Sequence, residues 1–546
     1  MSSLNSVLDI AKNALLSSQK AISVTSHNIA NANTPGYSRQ VAVLEPMDPV
    51  SFGGLYFGTG VKTTSIARVS DGFQTAQLRD ATSNLSMFES KGDLLQALEG
   101  VINDLGGTGV SASLDAFFSS MNSVANNPSS YAERSVLISN STILAERFHE
   151  IDTYIRQSLG NLNTEITAQI NEVNSIGAQI ADLNEQISAV EISGVSANDL
   201  RDRRDELLKG LSSILDVSVV ENNIGQVDVF VGGGPFLVAG PNSKLMTSEI
   251  NSEDTDINNI VCNGVALNDR LSGGSLKGKL DAAAVLQDVR DEMNLMAATL
   301  VKEVNSQHSL GYGLDGTTGN DFFEPLTVYT EPVVSNPGRA VISGGAVTAS
   351  NLLTLDDYEV RFSSASAYTV VNTDTDAVVT SGAYSSGSTI GFDGLSFVIT
   401  DNTGTPAAGD RFRVSATKNA IRDIATLVTN PNKIAASSTS SGVPGNNANM
   451  LIMAGLKDSA VLDSSTFGQY YNAIVTDLGI NVKETTRNYE AQKLVTEEIQ
   501  KARDSVSGVS IEEEAISLIK LQRAYEAAAK VMSTADKMLE ALLNIR

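Results

Sequence analysis

The sequence predicts a mainly α-helical chain with one or two small antiparallel β domains inserted in its middle. Three observations lead to this fold class. Apolar residues recur at alternating spacings of four and three near both ends of the chain, as in paired coiled-coil helices. The same alternation runs from residue 155 to residue 190, which indicates a long rod-forming helix. Between residues 217 and 231, and between 325 and 417, the period falls to two and turn residues interrupt it, which is typical of strands.

The first element is an amphipathic helix that we expect to end near Asn31. The chain then reads NIANANTPGY, in which proline opposes continuation of the helix and glycine permits the positive φ that a tight turn needs. The N-terminal seam consists of Leu4, Leu8, Ala11, Leu15, Ile22 and Ile29. The turn motif consists of Asn28, Asn31, Asn33, Thr34, Pro35, Gly36, Tyr37 and Arg39.

The last element is a second heptad helix, for which Ser510 and Glu513 predict a capping box. Gly508 separates it from an earlier helix at about residues 470 to 505. The two heptad patterns also place Ser18, Thr25 and Gln522 at seam positions. Together with the alanines, these residues suit close packing of many helices better than one strong dimer. The C-terminal seam consists of Ile511, Ala515, Leu518, Tyr525, Ala529, Met532, Leu539 and Leu543.

Helices are also predicted within residues 72–125 and 277–308, and they resume at residue 418. The terminal helices should therefore pair, with a helical-bundle rod and β modules between them. The predicted domains are residues 1–60 with 506–546 as the terminal coiled coil; 61–210 with 277–324 and 418–505 as the rod; 211–276 as a β-rich insertion packed on the rod; and 325–417 as an outer β domain.

Composition bounds the possible partners and compartments. The formal net charge is −25, which opposes binding to the phosphate backbone of nucleic acids. No run of 18 or more apolar residues is present, so we expect no membrane insertion. The first residues carry neither a basic segment nor an unbroken apolar run, so we expect no Sec signal peptide. A single cysteine, Cys262, excludes an intramolecular disulfide.

No motif predicts catalysis, a cofactor or a metal. The three histidines lack the close spacing of zinc ligands, and no G-x-S-x-G motif occurs. Cys262 is predicted to be buried and inert, and residues 232–235, GGGP, to form a hairpin turn rather than a phosphate loop. Asp254, Asp256 and the loop at residues 315–321 lack a calcium-loop pattern. Residues 201–206, RDRRDE, are predicted to form a solvated helix face.

The terminal seams leave two interpretations open. They could close on each other within one monomer, or they could pack against other copies in an assembly. A two-helix hairpin joined to the body by a turn buries little area and is marginal alone, whereas many copies side by side would bury both faces.

The turn motif and three other segments resemble one known family. Residues 28–37 are similar to the signature of bacterial flagellar axial proteins, which comprise the rod, hook and hook-associated proteins. SRQ at residues 38–40 is more similar to the hook-associated protein 1 branch than to rod or hook proteins. Residues 197–208, 305–323 and 507–546 are similar to the same branch, and the order of elements agrees over the whole chain.

This resemblance implies a structural adaptor and no enzyme. Such proteins leave the cell unfolded through the flagellar type III export channel and form a short ring between hook and filament. Their terminal helices form an inner tube, their rods an outer wall, and their β domains face outward. The implied partners are further copies of the chain, the hook protein, the next hook-associated junction protein, and an export chaperone that binds the C-terminal region, for which the C-terminal seam is a plausible target.

Two other functional classes remain as alternatives. A secreted type III coiled-coil adhesin or effector would also explain heptads and β modules, but terminal deletions should leave its activity intact. A cell-wall hydrolase carried on the axial structure would need convergent carboxylates in a cleft. For the adaptor, we expect the turn to let the first helix lie along the tube while the chain steps outward, so Gly36→Val should damage assembly more than export.

Overall fold

The computed structural model describes residues 2–52, 54–103, 107, 109–251 and 254–543, and it shows the predicted fold class, a mainly helical chain with inserted antiparallel sheets. The helices are α1 (Ser2–Ala30), α2 (Gly72–Ile102), α3 (Val110–Asn126), α4 (Tyr131–Glu191), α5 (Asn198–Ile214), α6 (Gly274–His308), α7 (Ala420–Asp423), α8 (Ala448–Gly455), α9 (Phe467–Ser507) and α10 (Ile511–Leu543). Single 3-10 turns occur at Ser350–Leu352, Pro431–Lys433, Ser440–Gly442 and Leu456–Asp458.

The strands form six antiparallel sheets in the described residues. Near the first helix lie β1 (Gln40–Pro46), β2 (Val50–Phe52), β3 (Leu55–Phe57) and β4 (Val61–Arg68), paired as β1-β4 and β2-β3. The next group is β5 (Val217–Glu221), β6 (Val227–Val231), β7 (Phe236–Ala239), β8 (Asn242–Ser243), β9 (Met246–Glu249), β10 (Asn259–Cys262) and β11 (Val265–Ala266), ordered β5-β6-β7-β8 and β11-β10-β9. The last group is β12 (Tyr329–Pro332), β13 (Val341–Val347), β14 (Asp357–Ser364), β15 (Ala367–Asn372), β16 (Val378–Ala383), β17 (Thr389–Phe392), β18 (Leu395–Thr400) and β19 (Arg411–Ser415), ordered β12-β19-β14-β15-β16 and β13-β18-β17.

The rod is a helical bundle whose longest helix, α4, has 61 residues and is therefore about 90 Å long. α2 packs against α6 and α9, and α3 packs against α4. A group of buried aromatic rings holds the bundle together: the ring of Phe117 lies 5.3 Å from Phe118, 5.9 Å from Phe322 and 5.7 Å from Phe323. Phe118 in turn lies 5.9 Å from Phe467, at the start of α9. Segments far apart in sequence thus share one core.

The β-rich insertion packs on α4 and α5 around a second core. Gly177 of α4 faces β7, since an added Cβ would lie 3.4 Å from Leu237, at van der Waals contact. The predicted hairpin turn at residues 232–235 is confirmed, because it joins the antiparallel strands β6 and β7. Cys262 is fully buried, and burial raises the pKa of its thiol, which agrees with an inert side chain.

The outer β sheets enclose a third core. Asn294 of α6 ties them to the rod, since its amide donates to Lys418 O at 3.0 Å and accepts from Ile421 N at 3.0 Å. Because each β region and the rod has its own apolar core, we keep the four predicted domains as a proposal.

The observed elements depart from the sequence analysis at two places, one wrong prediction and one group of strands that was missed. Helices do not simply resume at residue 418: α7 has four residues, α8 has eight, and a long helix begins only at Phe467. Pro431 and Pro444, with the Ser-, Asn- and Gly-rich residues between them, prevent a continuous helix. The strands between residues 40 and 68 were not predicted, because β1 and β4 form an isolated two-stranded ladder with little buried surface and hence weak alternation.

A buried histidine in the rod gives the fold a specific pH dependence. The Nδ1 atom of His308 lies 2.7 Å from Asn320 O, and its Nε2 atom accepts from Ala435 N at 3.0 Å, so the ring is held neutral. Burial lowers the pKa of His308 to about 4. Because the folded pKa lies below the unfolded value, the unfolded chain takes up the proton first. Stability is therefore lost as the pH falls from about 6.5 towards 4, by about 3 kcal/mol.

We expect His308→Gln to remove this part of the pH dependence, since an amide can donate to Asn320 O but does not take up a proton. The measurement is urea unfolding at pH 7 and pH 4.5 followed by circular dichroism, because the chain has no tryptophan. Carboxylates titrate equally in both proteins, so the difference between the wild type and the variant isolates His308. Identical pH profiles would contradict the assignment.

Candidate assembly interface

The first and last helices pair within one chain, and they run antiparallel because Asn28, near the end of α1, contacts Glu514, near the start of α10. Of the predicted N-terminal seam, Ala11 is buried, whereas Leu4, Leu8, Leu15, Ile22 and Ile29 are half-buried. The fully buried positions of α1 instead have small or polar side chains over most of the helix: Ala11, Ser17, Ala21, Val24, Thr25 and Asn28. A single chain therefore covers the small face of α1 completely and its large apolar side chains only in part.

α10 is even less covered. Of its predicted seam, Ala515, Leu518, Ala529, Met532 and Leu539 are half-buried, Ile511 and Tyr525 are exposed, and the side chain of Leu543 lies outside the described residues. Its buried positions are Glu514, Ala528 and Ala535. Four further large apolar side chains of α10 are exposed: Ile516, Ile519, Val531 and Met538. Exposed apolar surface of this extent is typical of a face that meets another protein.

Asn28 connects the helix pair to the turn. Its Oδ1 atom accepts from Gln40 N at 3.0 Å and from the Tyr37 hydroxyl at 2.8 Å. Its Nδ2 atom donates to Gln40 O at 2.9 Å and to Glu514 Oε2 at 3.1 Å. Asn28 is only 1% exposed, so one buried amide with all four of its bonds made ties α1 to β1 and α10.

The turn motif is closed by its own hydrogen bonds. Asn31 O accepts from Thr34 N at 2.9 Å, and Thr34 O accepts from Tyr37 N at 3.2 Å. Gly36 has a φ of +77°, a conformation that glycine adopts without strain. Asn33 and Pro35 are exposed at the tip. The motif thus reverses the chain and presents its tip to solvent.

The turn is also fastened to the end of α9. Arg39 N donates to Ser507 O at 2.8 Å, and the Arg503 guanidinium donates to Gly36 O at 3.2 Å. Arg39 further lies 3.7 Å from Glu513 of α10. A groove of about 580 Å³ lies between residues 32–37 and the α9–α10 junction. The predicted turn residues are therefore brought together with the start of α10, 470 or more positions later in the sequence.

Residues 201–206 were predicted to form a solvated helix face, and this prediction is wrong for three of the six residues. Asp202 and Arg204 are buried and Arg201 is partly buried. Arg201 pairs with Glu191 at 2.6 Å, and Arg204 donates to Gly225 O at 2.6 Å, so these arginines fix α5 to α4 and to the insertion. α5 lies between α4 and the insertion, so its charged side chains face these elements. The helical period of the sequence alone does not reveal this position.

The carboxylates of α5 hold the segment that follows the turn. Asp202 accepts from Ser38 N at 2.9 Å and from Arg68 at 2.9 Å, and Asp205 accepts from Arg68 at 2.7 Å. Burial and the carboxylates of Asp199 and Asp202 raise the pKa of Tyr37 well above its usual value, so its phenol stays protonated and donates to Asn28. We call Ser38, Arg68, Asp202 and Asp205 the clasp.

We expect Arg68→Ala to loosen the clasp by about 3 kcal/mol, because it leaves two largely buried carboxylates without their cation. The measurement is hydrogen exchange of residues 61–68 and 198–206. The matched control is Arg422→Ala, which removes an exposed pair with the adjacent Asp423 and should change stability by less than about 1 kcal/mol. Equal effects of the two substitutions would contradict a special role for Arg68.

The candidate cation ligands are engaged in other contacts. Asp256 pairs with Arg290 at 2.7 Å, Asp254 accepts from Gln287 at 2.8 Å, and Asp315 accepts from Thr317 N at 3.0 Å. Over the part of the chain that the structure describes, no group of three or more His, Cys, Asp or Glu side chains is placed to hold a metal ion. Within the same residues, no helix is long and apolar enough to cross a membrane.

Three family models match this chain. Residues 95–323 match the flagellar hook-associated protein FlgK helical domain, which covers much of the rod and the insertion. Residues 8–37, which contain most of α1 and the turn that follows it, match the flagella basal body rod protein family. Residues 502–545, which contain α10, match the C-terminal family of the flagellar basal body rod proteins FlgEFG.

Full-length relatives and a solved structure agree with these matches. The chain is 29% identical to flagellar hook-associated protein 1 of Salmonella typhimurium and 28% identical to that of Escherichia coli, over all of each chain. It is 26% identical to the protein of the same name from Bacillus subtilis, over 98% of this chain and 97% of the relative. The flagellar hook junction protein FlgK from Burkholderia pseudomallei shares the fold, with a TM-score of 0.67 and 22% identity over 79% of this chain and 100% of that one.

Proposed function

Because this chain belongs to the flagellar hook-associated protein 1 family, we propose that its terminal helix pair builds a short axial ring that links the hook to the filament. The chain is a structural junction protein of the flagellum, and this role requires no catalysis. The ring, its contacts and the route of export form the proposal.

One observation carries the proposal: within a single chain, α1 and α10 bury small side chains and leave large apolar ones uncovered. Ile511 and Tyr525 of the predicted seam are exposed, and five further residues of that seam are only half-buried. Copies placed side by side would cover these residues, and burying apolar surface contributes about 25 cal/mol per Å². The proposal therefore combines the two interpretations of the seams: pairing within the chain on the small face, and packing between chains on the apolar flanks.

The partners follow from the same surface. We propose that further copies cover the flanks of the pair, and that the hook protein and the next hook-associated junction protein contact the two ends of the ring. The apolar seam of α10 is also the surface that an export chaperone would cover before export, as a groove covers an amphipathic helix. The chain would cross the flagellar type III export channel unfolded, which agrees with the absence of disulfides.

The test replaces Ile511 and Tyr525 together by serine in a bacterium whose own copy has been deleted. Both side chains are exposed, so the monomer should keep its thermal stability. We expect the variant to be missing from flagella, with filament subunits lost to the medium and motility abolished, and the amount of variant protein in the medium separates a loss of assembly from a loss of chaperone-dependent export. The matched control replaces Leu352 and Val378, two exposed apolar residues of the outer β domain, and should assemble normally. Normal motility of the seam variant would overturn the proposed function.

A further inference from the structure

The hairpin formed by β2 and β3 is an apolar projection beside α1. Its base lies against the helix, since Asn13 donates to Met47 Sδ at 3.1 Å and Ser17 donates to Val61 O at 3.3 Å. Met47 N also donates to Gly60 O at 2.9 Å, which closes the base. In the described residues, β2 and β3 pair with each other alone. A two-stranded hairpin without a core is marginally stable in water.

Four large apolar side chains of this hairpin are left to solvent. Tyr56 is 78% exposed, Leu55 is 64% exposed, Val50 is 59% exposed and Phe57 is 49% exposed. Residues 49–61 contain no charged residue, although the chain carries a net charge of −25. Large acidic proteins repel one another, so an uncharged apolar projection is a place where two copies can approach. An exposed cluster of aromatic and aliphatic residues is also typical of an interface.

A second exposed apolar surface lies on α10, at the same axial level as the base of the hairpin. We define the outer row as Ile516, Ile519, Val531 and Met538, the large apolar residues of α10 that lie outside the predicted seam and are about half exposed. Asn28 of α1 contacts Glu514 of α10, and the helices run antiparallel. Ser17, at the hairpin base, lies eleven residues before Asn28 on α1, and Tyr525 lies eleven residues after Glu514 on α10. Each of these stretches of helix spans about 16 Å along the helix axis. The hairpin base is therefore level with Tyr525 to Val531.

We propose that the hairpin of one copy packs against the outer row of a second copy, near Val531. The outer row is exposed in its own chain, so the contact joins two copies. Since two different patches of the same chain meet, the contact is head-to-tail, and such contacts build rings or helical arrays. The inference rests on the proposed function, because it requires copies held side by side at one axial level.

The first experiment replaces Leu55, Tyr56 and Phe57 together by serine in full-length protein. All three are exposed, so the melting temperature of the monomer should stay within a few degrees of the wild type. Incorporation into flagella, measured by immunoblot, should fall at least tenfold. The matched control is the Leu352 and Val378 double serine variant. Incorporation at the wild-type level would overturn the inference.

The second experiment identifies the surface that the hairpin meets. Tyr56→Cys and Val531→Cys are placed on two differently tagged copies expressed together, and isolated flagella are treated with a short bismaleimide. The native Cys262 is buried and serves as the background in the protein without added cysteines. A link between the two tags supports the proposal. If Val378→Cys links as well as Val531→Cys, or if both variants are present in flagella and no link forms, the outer row is not the partner surface.

The two proposals fail in different ways. If the hairpin variant assembles normally while the Ile511 and Tyr525 variant does not, the ring stands and the hairpin contact is wrong. If the Ile511 and Tyr525 variant also assembles normally, the seams do not hold copies together and the proposed function is wrong.

Discussion

Asn28→Ala should release α10 from α1 while the rod stays folded. The substitution removes four hydrogen bonds at once and leaves Gln40 N and the Glu514 carboxylate buried without that partner. Each uncompensated buried group costs about 1–3 kcal/mol, so the local free energy of opening should fall by about 2–4 kcal/mol. Hydrogen exchange of residues 511–540 measures this opening, and the thermal transition of the rod should not move.

Two further variants sharpen this prediction. Asn28→Asp should be at least as damaging, because it places a second carboxylate against Glu514 and removes the donor. Adding Glu514→Gln to that variant exchanges donor and acceptor across the same contact and should restore part of the protection. Ser26→Ala, at an exposed position of α1, is the control. Unchanged protection of α10 in Asn28→Ala would show that the amide does not hold the pair.

Gly36→Val should abolish assembly while the protein is still exported. At a φ of +77° any Cβ is strained, and here it would lie 2.8 Å from Glu206 Oε2. Glu206 is exposed and can move aside, so the backbone strain is the larger effect, about 1–2 kcal/mol for alanine and more for a β-branched residue. Export of an unfolded chain does not depend on this conformation. The measurement compares protein in the medium with protein in flagella.

A graded series separates strain from a general defect. Gly36→Asn should be tolerated better than Gly36→Ala, and Gly36→Val should be worst, because asparagine visits positive φ most readily. Gly316 has a φ of +78° with open space around it, so Gly316→Val carries the same strain away from the turn. Normal assembly of Gly36→Val, or an equal defect in Gly316→Val, would remove the mechanical role of the turn.

Periodicity predicted the helices well because their burial follows one face of a long element. The pattern from residue 155 to residue 190 lies within the observed α4, which extends back to Tyr131. The pattern could not show which face a single chain covers. Large apolar residues such as Leu15 and Ile22 define the seam in the sequence, yet Ala21 and Val24 are the more buried positions. A sequence pattern does not distinguish burial within one chain from burial between copies.

The clasp and the Asn28 contacts were beyond sequence reasoning for a different reason. Asp202 meets Ser38 and Arg68 across separations of 164 and 134 residues, and Asn28 meets Glu514 across 486. No local period encodes such pairs. The sequence offered one signal, the dense run of opposite charges at residues 201–206. Such charges can also pair with one another on a single solvated helix, so the run did not predict partners in other elements.

The bond between Arg39 N and Ser507 O has a mechanical consequence. The two covalent connections from the terminal helices to the rod pass side by side at this point, so tension or twist on the helix pair divides between two backbones. A force that pulls the helix pair away from the rod therefore loads both connections together, in shear. It does not break them one after the other. A junction held by this doubled attachment would resist repeated bending better than one held by a single connection.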